Sequence, residues 1–396
     1  MQFTDYLKYP DIACRWSWAR RLEWPRRGHE KIPFEKLQTV CYYLGSFFMG
    51  YQNIGGVVYW CLYALKAKDA TTFIIETAQV FGSLMLTCVG FSKIWCFTRR
   101  RNQMEDVMAE LHELYPTTRK EHYRLQHHYD WADLIMKYAN LFYFAFYIFY
   151  NGSPLVLLLW EYITDDQNLS YKTQANAWYP WKVRGSAWGY ALAIWVSTMA
   201  GNLGIFLTLA ILNILCVCTV QLVMHFDGLA TQLLNLDARH PQAHQELKHL
   251  IRYHRQLIDI SDKTNEIFDS IFLTSLICST LAICMTSVAV LLLDLAPALK
   301  NINGLLAFLV YHFMLSYLGT QINLASEKIL PAAFYNNWYE GDLPYRKMLL
   351  ILMLRASKPY KWKTIKLSEV SILNYVDTLK TSYQMYACVR SMNLQV

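Results

Sequence analysis

The chain has 396 residues and a formal net charge of +7, and 54% of its residues are hydrophobic and 15% aromatic. A soluble chain of this length would carry charge throughout its surface, whereas here the charged residues gather into blocks. Between the blocks lie runs of about 20 or more residues with few charges, the length that a helix needs to cross a membrane. This pattern excludes a soluble globular protein. It predicts a chain surrounded by membrane lipid, and we expect no nucleic-acid partner.

Seven apolar runs predict an all-α polytopic membrane protein with seven transmembrane helices. The runs cover residues 40–65, 73–97, 134–160, 186–223, 267–295, 303–324 and 370–392. Of the eleven prolines, only Pro154 lies inside a run, and the others lie in tails and loops, where helices end. The segment before the first run has no continuous apolar core of the kind found in a cleaved signal peptide. Its tryptophans lie among arginines, which predicts a segment at the membrane surface, with a disordered basic tail as the alternative.

Basic residues predict the orientation of the chain in the membrane. Eight Lys and Arg precede residue 37 and eight lie between the sixth and seventh runs, whereas the three loops on the opposite side carry six between them. The positive-inside rule therefore predicts a cytosolic N terminus and an extracellular C terminus. Asn168 begins an Asn-Leu-Ser glycosylation sequon in the third-to-fourth loop, which this orientation places outside the cell.

This orientation argues against a G-protein-coupled receptor, which has its N terminus outside, although a metabotropic seven-helix receptor stays as a less favoured alternative. No motif predicts an enzyme, and no internal repeat predicts a transporter. Most histidines lie in segments predicted to be cytosolic helical faces, so we expect neither a metal site nor a cofactor. Before the fifth run, Leu247, Leu250, His254 and Leu257 recur at three- and four-residue steps, which predicts that the fifth helix extends well into the cytosol.

The third run contains eight aromatic residues between Tyr138 and Tyr150, more than an aromatic belt at the membrane interface accounts for. An aromatic lining with a few hydroxyl groups is typical of a pocket for a small, mostly apolar molecule, with ordinary helix packing as the alternative. We place this pocket between the outer halves of the second to fifth helices. The predicted ligand-binding residues are Phe146, Tyr147, Tyr150, Trp195, Thr198, Met199, Thr77 and Phe81.

The end of the chain resembles the insect odorant receptor family. The last run reads SILNYVDTLKTSYQMYACVRSMN, with the Lys-Thr-Ser-Tyr and Arg-Ser-Met-Asn elements of the family's seventh segment. The segment before it contains Trp338-Tyr339, Arg346-Lys347 and the run Arg355 to Pro359, which are similar to the family's last inner loop. A gustatory-type chemoreceptor of the same superfamily is the alternative, but such receptors usually have Thr-Tyr and a terminal Gln-Phe, whereas this chain has Ser382-Tyr383.

The resemblance implies a subunit of a ligand-gated, non-selective cation channel that forms a heterotetramer with odorant coreceptor subunits. The loop at residues 224–266 is compact, unlike that of the coreceptor, which implies a ligand-specific tuning subunit that binds a small apolar volatile molecule. Matched to the family's pore positions, Tyr386, Val389 and Arg390 are the pore candidates, with the outer lipid headgroups as the alternative position for the Arg390 side chain. The implied location is the plasma membrane, in the dendrite of an olfactory neuron.

These expectations divide the chain into four parts. Residues 1–39 form a cytosolic tail, residues 40–324 form six helices with the ligand pocket, and residues 325–369 form a cytosolic anchor loop. Residues 370–396 then form the pore helix and a short outer tail.

Overall fold

The computed structural model of the chain describes residues 2–28, 34–67, 70–117, 120–164, 171, 173–292, 295–365 and 368–393, and it is almost entirely helical there. Its α-helices are α1 (Lys8–Trp16), α2 (Glu35–Leu62), α3 (Ala70–Arg99), α4 (Arg101–Leu114), α5 (Leu125–Ile163), α6 (Ala187–Leu234), α7 (Ala243–Leu292), α8 (Leu295–Glu327), α9 (Ile329–Phe334), α10 (Leu343–Ala356) and α11 (Ile372–Asn393). Short 3₁₀ helices cover Phe3–Leu7, Ala64–Lys66, Lys120–Tyr123 and Trp338–Glu340. Strands β1 (Lys363–Thr364) and β2 (Ser368–Glu369) pair as an antiparallel ribbon. The all-α prediction is confirmed.

Five helical segments are long and apolar enough to cross a membrane, and they belong to α3, α5, α6, α7 and α8. The first and last of the seven predicted spans correspond to α2 and α11, which have 28 and 22 residues and so have sufficient length. Their composition is less apolar, because α2 is rich in tyrosine and glycine and α11 carries Asp377, Lys380 and Arg390. Membrane helices with polar residues are tolerated where they face protein or water rather than lipid.

The most buried helix is α6, which packs against α1, α2, α3, α5, α7 and α8. In the most apolar 18-residue stretch of α6, 89% is buried, whereas in the corresponding stretch of α5 only 17% is buried. A helix that is apolar on all sides is stable when other helices surround it. We conclude that α6 forms the centre of the bundle and α5 part of its outer wall.

The described part of the N-terminal segment packs against the helices and is not a disordered tail. Phe3 is fully buried and stacks on the His112 ring of α4 at 4.9 Å. Trp24 Nε1 donates a hydrogen bond to His112 Nδ1 at 3.0 Å, and Asn202 of α6 donates one to the Trp16 carbonyl. The alternative of a disordered tail is therefore wrong, because these contacts hold the segment to residues far away in the sequence, while a position at the membrane surface stays a prediction.

The long extension of the fifth predicted span is confirmed. α7 has 50 residues, which corresponds to about 75 Å at 1.5 Å per residue, far more than a bilayer core requires. Leu247, Leu250, His254 and Leu257 are all buried along its first half. This half packs with α4, α6 and α10 into a compact region that we call the anchor bundle, comprising α4, α9, α10 and the segment from α10 to β2, the ends of α6 and α8, and α7 as far as Phe272.

Candidate functional site

Two adjoining cavities lie within the helical bundle. The first, which we call the deep cavity, has a volume of about 60 Å³ and is enclosed by α2, α3, α5, α6 and α8. The second, the wide cavity, has a volume of about 370 Å³ and lies towards the segment that joins α5 to α6. Four residues line both cavities: Leu86, Phe146, Tyr150 and Phe308. These mostly aromatic side chains therefore lie between the two cavities, and we call them the aromatic neck.

The side chains of the aromatic neck are held in place by contacts within α5 and between α5 and α8. Phe146 stacks on Tyr150 one turn later in α5, with ring centroids 5.7 Å apart and planes at 25°. One turn earlier, Tyr143 donates a hydrogen bond to the Ala307 carbonyl of α8 at 3.1 Å, beside Phe308. Offset-stacked aromatic pairs contribute about 0.5–1.5 kcal/mol beyond the area that they bury. The neck between the cavities is thus apolar and its walls are fixed by α5 and α8.

Small residues of α6 let neighbouring side chains approach the deep cavity. A Cβ atom on Gly204 would lie 2.6 Å from Met49 Cε of α2, too close for any other residue to fit without movement. Ala200 and Gly201 line the same wall. This part of the α6 wall is therefore made of backbone and methyl groups, which suit an apolar ligand, and Ile205 and Thr208 complete the wall.

The deep cavity contains one charged side chain, that of Lys93 on α3. Lys93 is 1% exposed, and its Nζ donates a hydrogen bond to Thr208 Oγ1 at 3.0 Å. The same nitrogen lies 3.9 Å from the centroid of the Tyr311 ring, within the range of a cation–π interaction. Lys93 is seven residues beyond Leu86, or about 10 Å further along the helix. The charge therefore lies at the far end of the deep cavity from the aromatic neck.

The wide cavity is bounded at one end by the segment that leads into α6. Gln174 is 1% exposed and donates to Thr198 Oγ1 at 3.2 Å, while Asn176 donates to Gln79 Oε1 at 3.0 Å. Trp178 then donates its backbone N–H to the Gly55 carbonyl of α2 at 2.9 Å. These hydrogen bonds hold the segment to α2, α3 and α6, so residues 173–178 form a polar cover over the cavity.

Of the eight residues predicted to bind ligand, Phe146 and Tyr150 line both cavities. Thr198 lines neither cavity, but its hydroxyl accepts a hydrogen bond from Gln174, which lines the wide cavity. The other five residues line neither of these two cavities. Tyr147 packs on Phe206, and Trp195 packs on Phe48 and is 47% exposed. Thr77 and Phe81 both contact Trp60, and Met199 lies on the α6 face towards α2. The structure thus brings two of the predicted residues together.

The pore candidates lie on α11, which packs against α7 and α8. Tyr386 is partly buried beside Tyr383, with ring centroids 6.0 Å apart. The side chains of Val389 and Arg390, and the whole of Asn168, lie outside the described part of the chain.

Comparison with known proteins identifies the family. Residues 74–383 match the family described as 7tm Odorant receptor, a stretch that covers most of the chain. This chain belongs to the odorant receptor family. Its relatives include the Drosophila melanogaster proteins named putative odorant receptor 69a, isoform A and isoform B. They are 45% and 38% identical to it, over 99% of this chain and the full length of each relative.

Solved structures show the same fold for this odorant receptor. The insect olfactory receptor OR5 from Machilis hrabei superposes with a TM-score of 0.81 at 15% identity, over 97% of each chain. The structure of the same receptor in complex with eugenol superposes with a TM-score of 0.79, over 98% of each chain. The chain is therefore a polytopic membrane receptor, not an enzyme, and its helices have the arrangement of an insect odorant receptor.

Sequence reasoning missed the polar end of the site in this odorant receptor. Lys93 lies within the second apolar run, and an ionisable residue inside a membrane span is by itself a reason to suspect a functional site. Gln52 of α2, also inside a span, lines the deep cavity and is 8% exposed. The polar side chains of Lys93 and Gln52 inside apolar runs could have indicated this part of the site from the sequence. No sequence pattern distinguishes Phe308 of α8 from the other apolar residues of its run.

Proposed function

We propose that this odorant receptor is the ligand-binding subunit of a non-selective cation channel, which opens when a small volatile molecule occupies the joined cavities. The observation that carries this proposal is the aromatic neck of Phe146, Tyr150 and Phe308, enclosed inside the bundle. Pockets for small molecules are mostly apolar with a few polar groups that fix orientation, and the deep cavity has that character, whereas the wide cavity is more polar and includes Glu76, Glu161 and Arg184 in its lining. A receptor of the same fold has been solved in complex with eugenol, a small molecule.

We propose that ligand contacts come mainly from the side chains at and below the neck. Phe146 and Tyr150 line both cavities, so a ligand in either cavity would lie against them. Thr198 acts through Gln174, whose side chain forms part of the wide cavity. A neck of this kind discriminates by shape, because each methylene group in an apolar pocket changes the binding free energy by about 1–3 kcal/mol.

We propose that α11 forms the pore together with the same helix of other subunits, including odorant coreceptors in a heterotetramer. In the single chain, Leu373 and Tyr383 of α11 are 79% and 68% exposed, and both are large apolar residues. Thr381 and Gln384 are exposed on the same helix. A membrane helix with this mixture suits contact with other subunits and a water-filled path, and it suits lipid poorly. Tyr386, Val389 and Arg390 are the proposed pore residues.

The proposed orientation has the N terminus in the cytosol, in the plasma membrane of an olfactory neuron's dendrite. The concentration of Lys and Arg in the tail and anchor segments supports this orientation. Asn168 is then an extracellular glycosylation site.

The experiment that tests the proposal is whole-cell recording from cells that express the chain with and without an odorant coreceptor, during exposure to a panel of volatiles. We expect rapid inward currents with the coreceptor that persist when G proteins are blocked. Currents that require G proteins would contradict the channel mechanism, and an absence of current in every combination would contradict the proposed function altogether.

A further inference from the structure

The deep cavity has an unusual combination of an apolar wall and a buried lysine. Lys93 is 1% exposed, and among the residues that the structure describes none of the ion pairs includes it. A buried charge normally has a carboxylate partner, because removing it from water without one is costly. Here its neighbours are the Thr208 hydroxyl and the Tyr311 ring face.

The hydrogen-bonding capacity of Lys93 exceeds what these neighbours use. Even as a neutral amine, Lys93 has two N–H donors, and its hydrogen bond to Thr208 uses one of them, while the Tyr311 ring face lies 3.9 Å from the nitrogen. The remaining donor lies in a cavity whose walls are otherwise mostly methyl groups, rings and glycine backbone. Gln52 lines the same cavity, and in the described part of the chain its Nε2 has no hydrogen-bond partner. Two side chains with N–H groups to donate therefore border one small apolar space.

We propose that Lys93 is a specificity-determining residue, which binds a neutral hydrogen-bond-accepting oxygen of the ligand, such as that of a carbonyl, ester or ether group. This inference rests on the proposed function and names the ligand class of the same site. The apolar body of the ligand lies in the aromatic neck formed by Phe146, Tyr150 and Phe308. Its oxygen reaches about two helical turns further, into the deep cavity, and accepts a hydrogen bond from Lys93 Nζ.

The dimensions and the chemistry favour a neutral oxygen over an ionised carboxylate. The deep cavity has a volume of about 60 Å³, enough for a small polar group but not for a group with its water shell. Moving an ionised carboxylate into such a space costs far more than moving a carbonyl, since a charge loses much more hydration than a dipole. Among the residues that line the deep cavity, no second cation is present to offset that cost.

The test compares ligands that differ only in the oxygen. Currents are recorded from cells that express the chain with coreceptor, during exposure to a series of linear ketones and the alkenes of the same length. The variants are Lys93→Met, which keeps the apolar stem, Lys93→Gln, which restores an N–H donor, and Lys137→Met as the control. Lys137 is an exposed lysine on α5 and lines neither cavity.

We expect Lys93→Met to raise the half-maximal concentration for ketones by about 10- to 100-fold and to leave that for alkenes unchanged, since hydrogen bonds to charged groups are of this strength. Lys93→Gln should recover part of the lost ketone sensitivity, and Lys137→Met should leave the half-maximal concentrations of ketones and alkenes unchanged. Thr208→Val, which removes a hydrogen-bond partner of Lys93 and leaves its charge, should shift ketones selectively by a smaller factor. It supplies the same readout if Lys93→Met does not reach the surface.

A loss of sensitivity that is equal for ketones and alkenes would show that Lys93 supports the fold only and would overturn the inference. Carboxylic acids that act at lower concentration than the matched ketones would overturn the neutral-oxygen assignment. In both cases the wild-type chain still passes current, so the proposed channel function stands. No wild-type current for any ligand would remove the function and the inference together.

Discussion

The cavity region and the anchor bundle are built from the same long helices but differ in how their interiors are filled. Around the cavities, the wall of α6 is made of small residues, and the wide and deep cavities stay open between α3, α5 and α8. In the anchor bundle, Trp362 is fully buried and stacks on Phe272 with centroids 5.6 Å apart. A region with open space can change shape at low cost, whereas a close-packed region moves as a unit.

Buried polar groups occur in both regions and do not separate them. In the anchor bundle, Asn336 donates to the Leu233 and Leu236 carbonyls and to the Tyr345 hydroxyl, but among the described residues its Oδ1 and Trp362 Nε1 have no hydrogen-bond partner. Gln52 Nε2 at the deep cavity is in the same situation, so the difference between the two regions is one of packing. We infer that the anchor bundle holds a fixed structure while the cavity region is the part that responds to a ligand.

The largest expected effect is in the anchor bundle. Trp362→Ala should destabilise the protein by about 3–5 kcal/mol, because it leaves a large cavity in a close-packed interior. The measurement is the thermal unfolding of detergent-solubilised receptor, with surface expression as a second readout. Tyr335→Ala is the matched control, since Tyr335 lies in the same region but is 74% exposed. If the two substitutions lowered the stability equally, the inference that the anchor bundle is more rigid than the cavity region would be contradicted.

The cavity region should tolerate a similar deletion with less effect on folding and more effect on ligands. Tyr150→Ala removes one side of the aromatic neck, so we expect half-maximal ligand concentrations to change by about tenfold, in an order that depends on ligand shape. Surface expression should stay near the wild-type level. Met199→Ala, on the α6 face towards α2, should keep the wild-type order of ligands. The neck assignment fails if Met199→Ala reorders the panel and Tyr150→Ala does not.

A substitution in the proposed pore should leave both regions unchanged and alter only conduction. A permeating cation at about 5–8 Å from Arg390 would be repelled by roughly 0.5–4 kcal/mol, depending on local screening. Arg390→Glu should therefore change conductance by about twofold or more and shift reversal potentials in calcium solution, while the order of ligand potency is kept. If Val389→Glu shifts the reversal potential and Arg390→Glu does not, Arg390 lies outside the conduction path.

The smallest expected effect concerns the N-terminal segment that docks on α4. Burial is the main cause that lowers the pKa of His112, with the nearby positive charge of Arg26 adding to it. His112 Nδ1 also accepts a hydrogen bond from Trp24, which only the unprotonated nitrogen can do. The unfolded chain therefore binds a proton at higher pH than the folded one. The stabilisation is complete above about pH 6.5, the usual histidine value, and declines as the pH falls below it.

This pH dependence is measured as the change in melting temperature between pH 7.5 and pH 5.5 for the wild-type chain and for His112→Asn. Asparagine keeps an acceptor near the position of Nδ1 but does not titrate in this range. We expect the melting temperature to fall less between pH 7.5 and pH 5.5 for the variant than for the wild-type chain. Identical declines in the two proteins would mean that the docked segment does not respond to pH through His112.

The sequence was sufficient to predict the all-α class and the extension of α7, since both depend on local pattern. Leu247 and Leu257 repeat at helical spacing, and they are buried as that spacing requires. The predicted binding face of α6 was less accurate because α6 is apolar all round, so periodicity does not select the side that faces a cavity. Trp195 therefore lies on a partly exposed face, while Gly204, without a side chain, forms the wall.

The docking of the N-terminal segment could not be predicted for a different reason. Trp24 and His112 are 88 positions apart, and nothing in the local sequence around either residue indicates the other. Lys93 was missed because a single lysine does not interrupt an apolar run. Its importance comes from its depth in the bundle and the absence of a nearby carboxylate among the described residues, and both are properties of the assembled helices.

The length of α7 makes it a lever. Thr286, near one end, lines the wide cavity, and Leu247, near the other, is buried in the anchor bundle, while α11 lies along the helix between them. Over about 75 Å of continuous helix, a tilt of one degree about the anchored end displaces the far end by roughly 1.3 Å. A ligand that moves this end of α7 by about 1 Å is therefore expected to tilt the helix by about one degree where α11 packs against it.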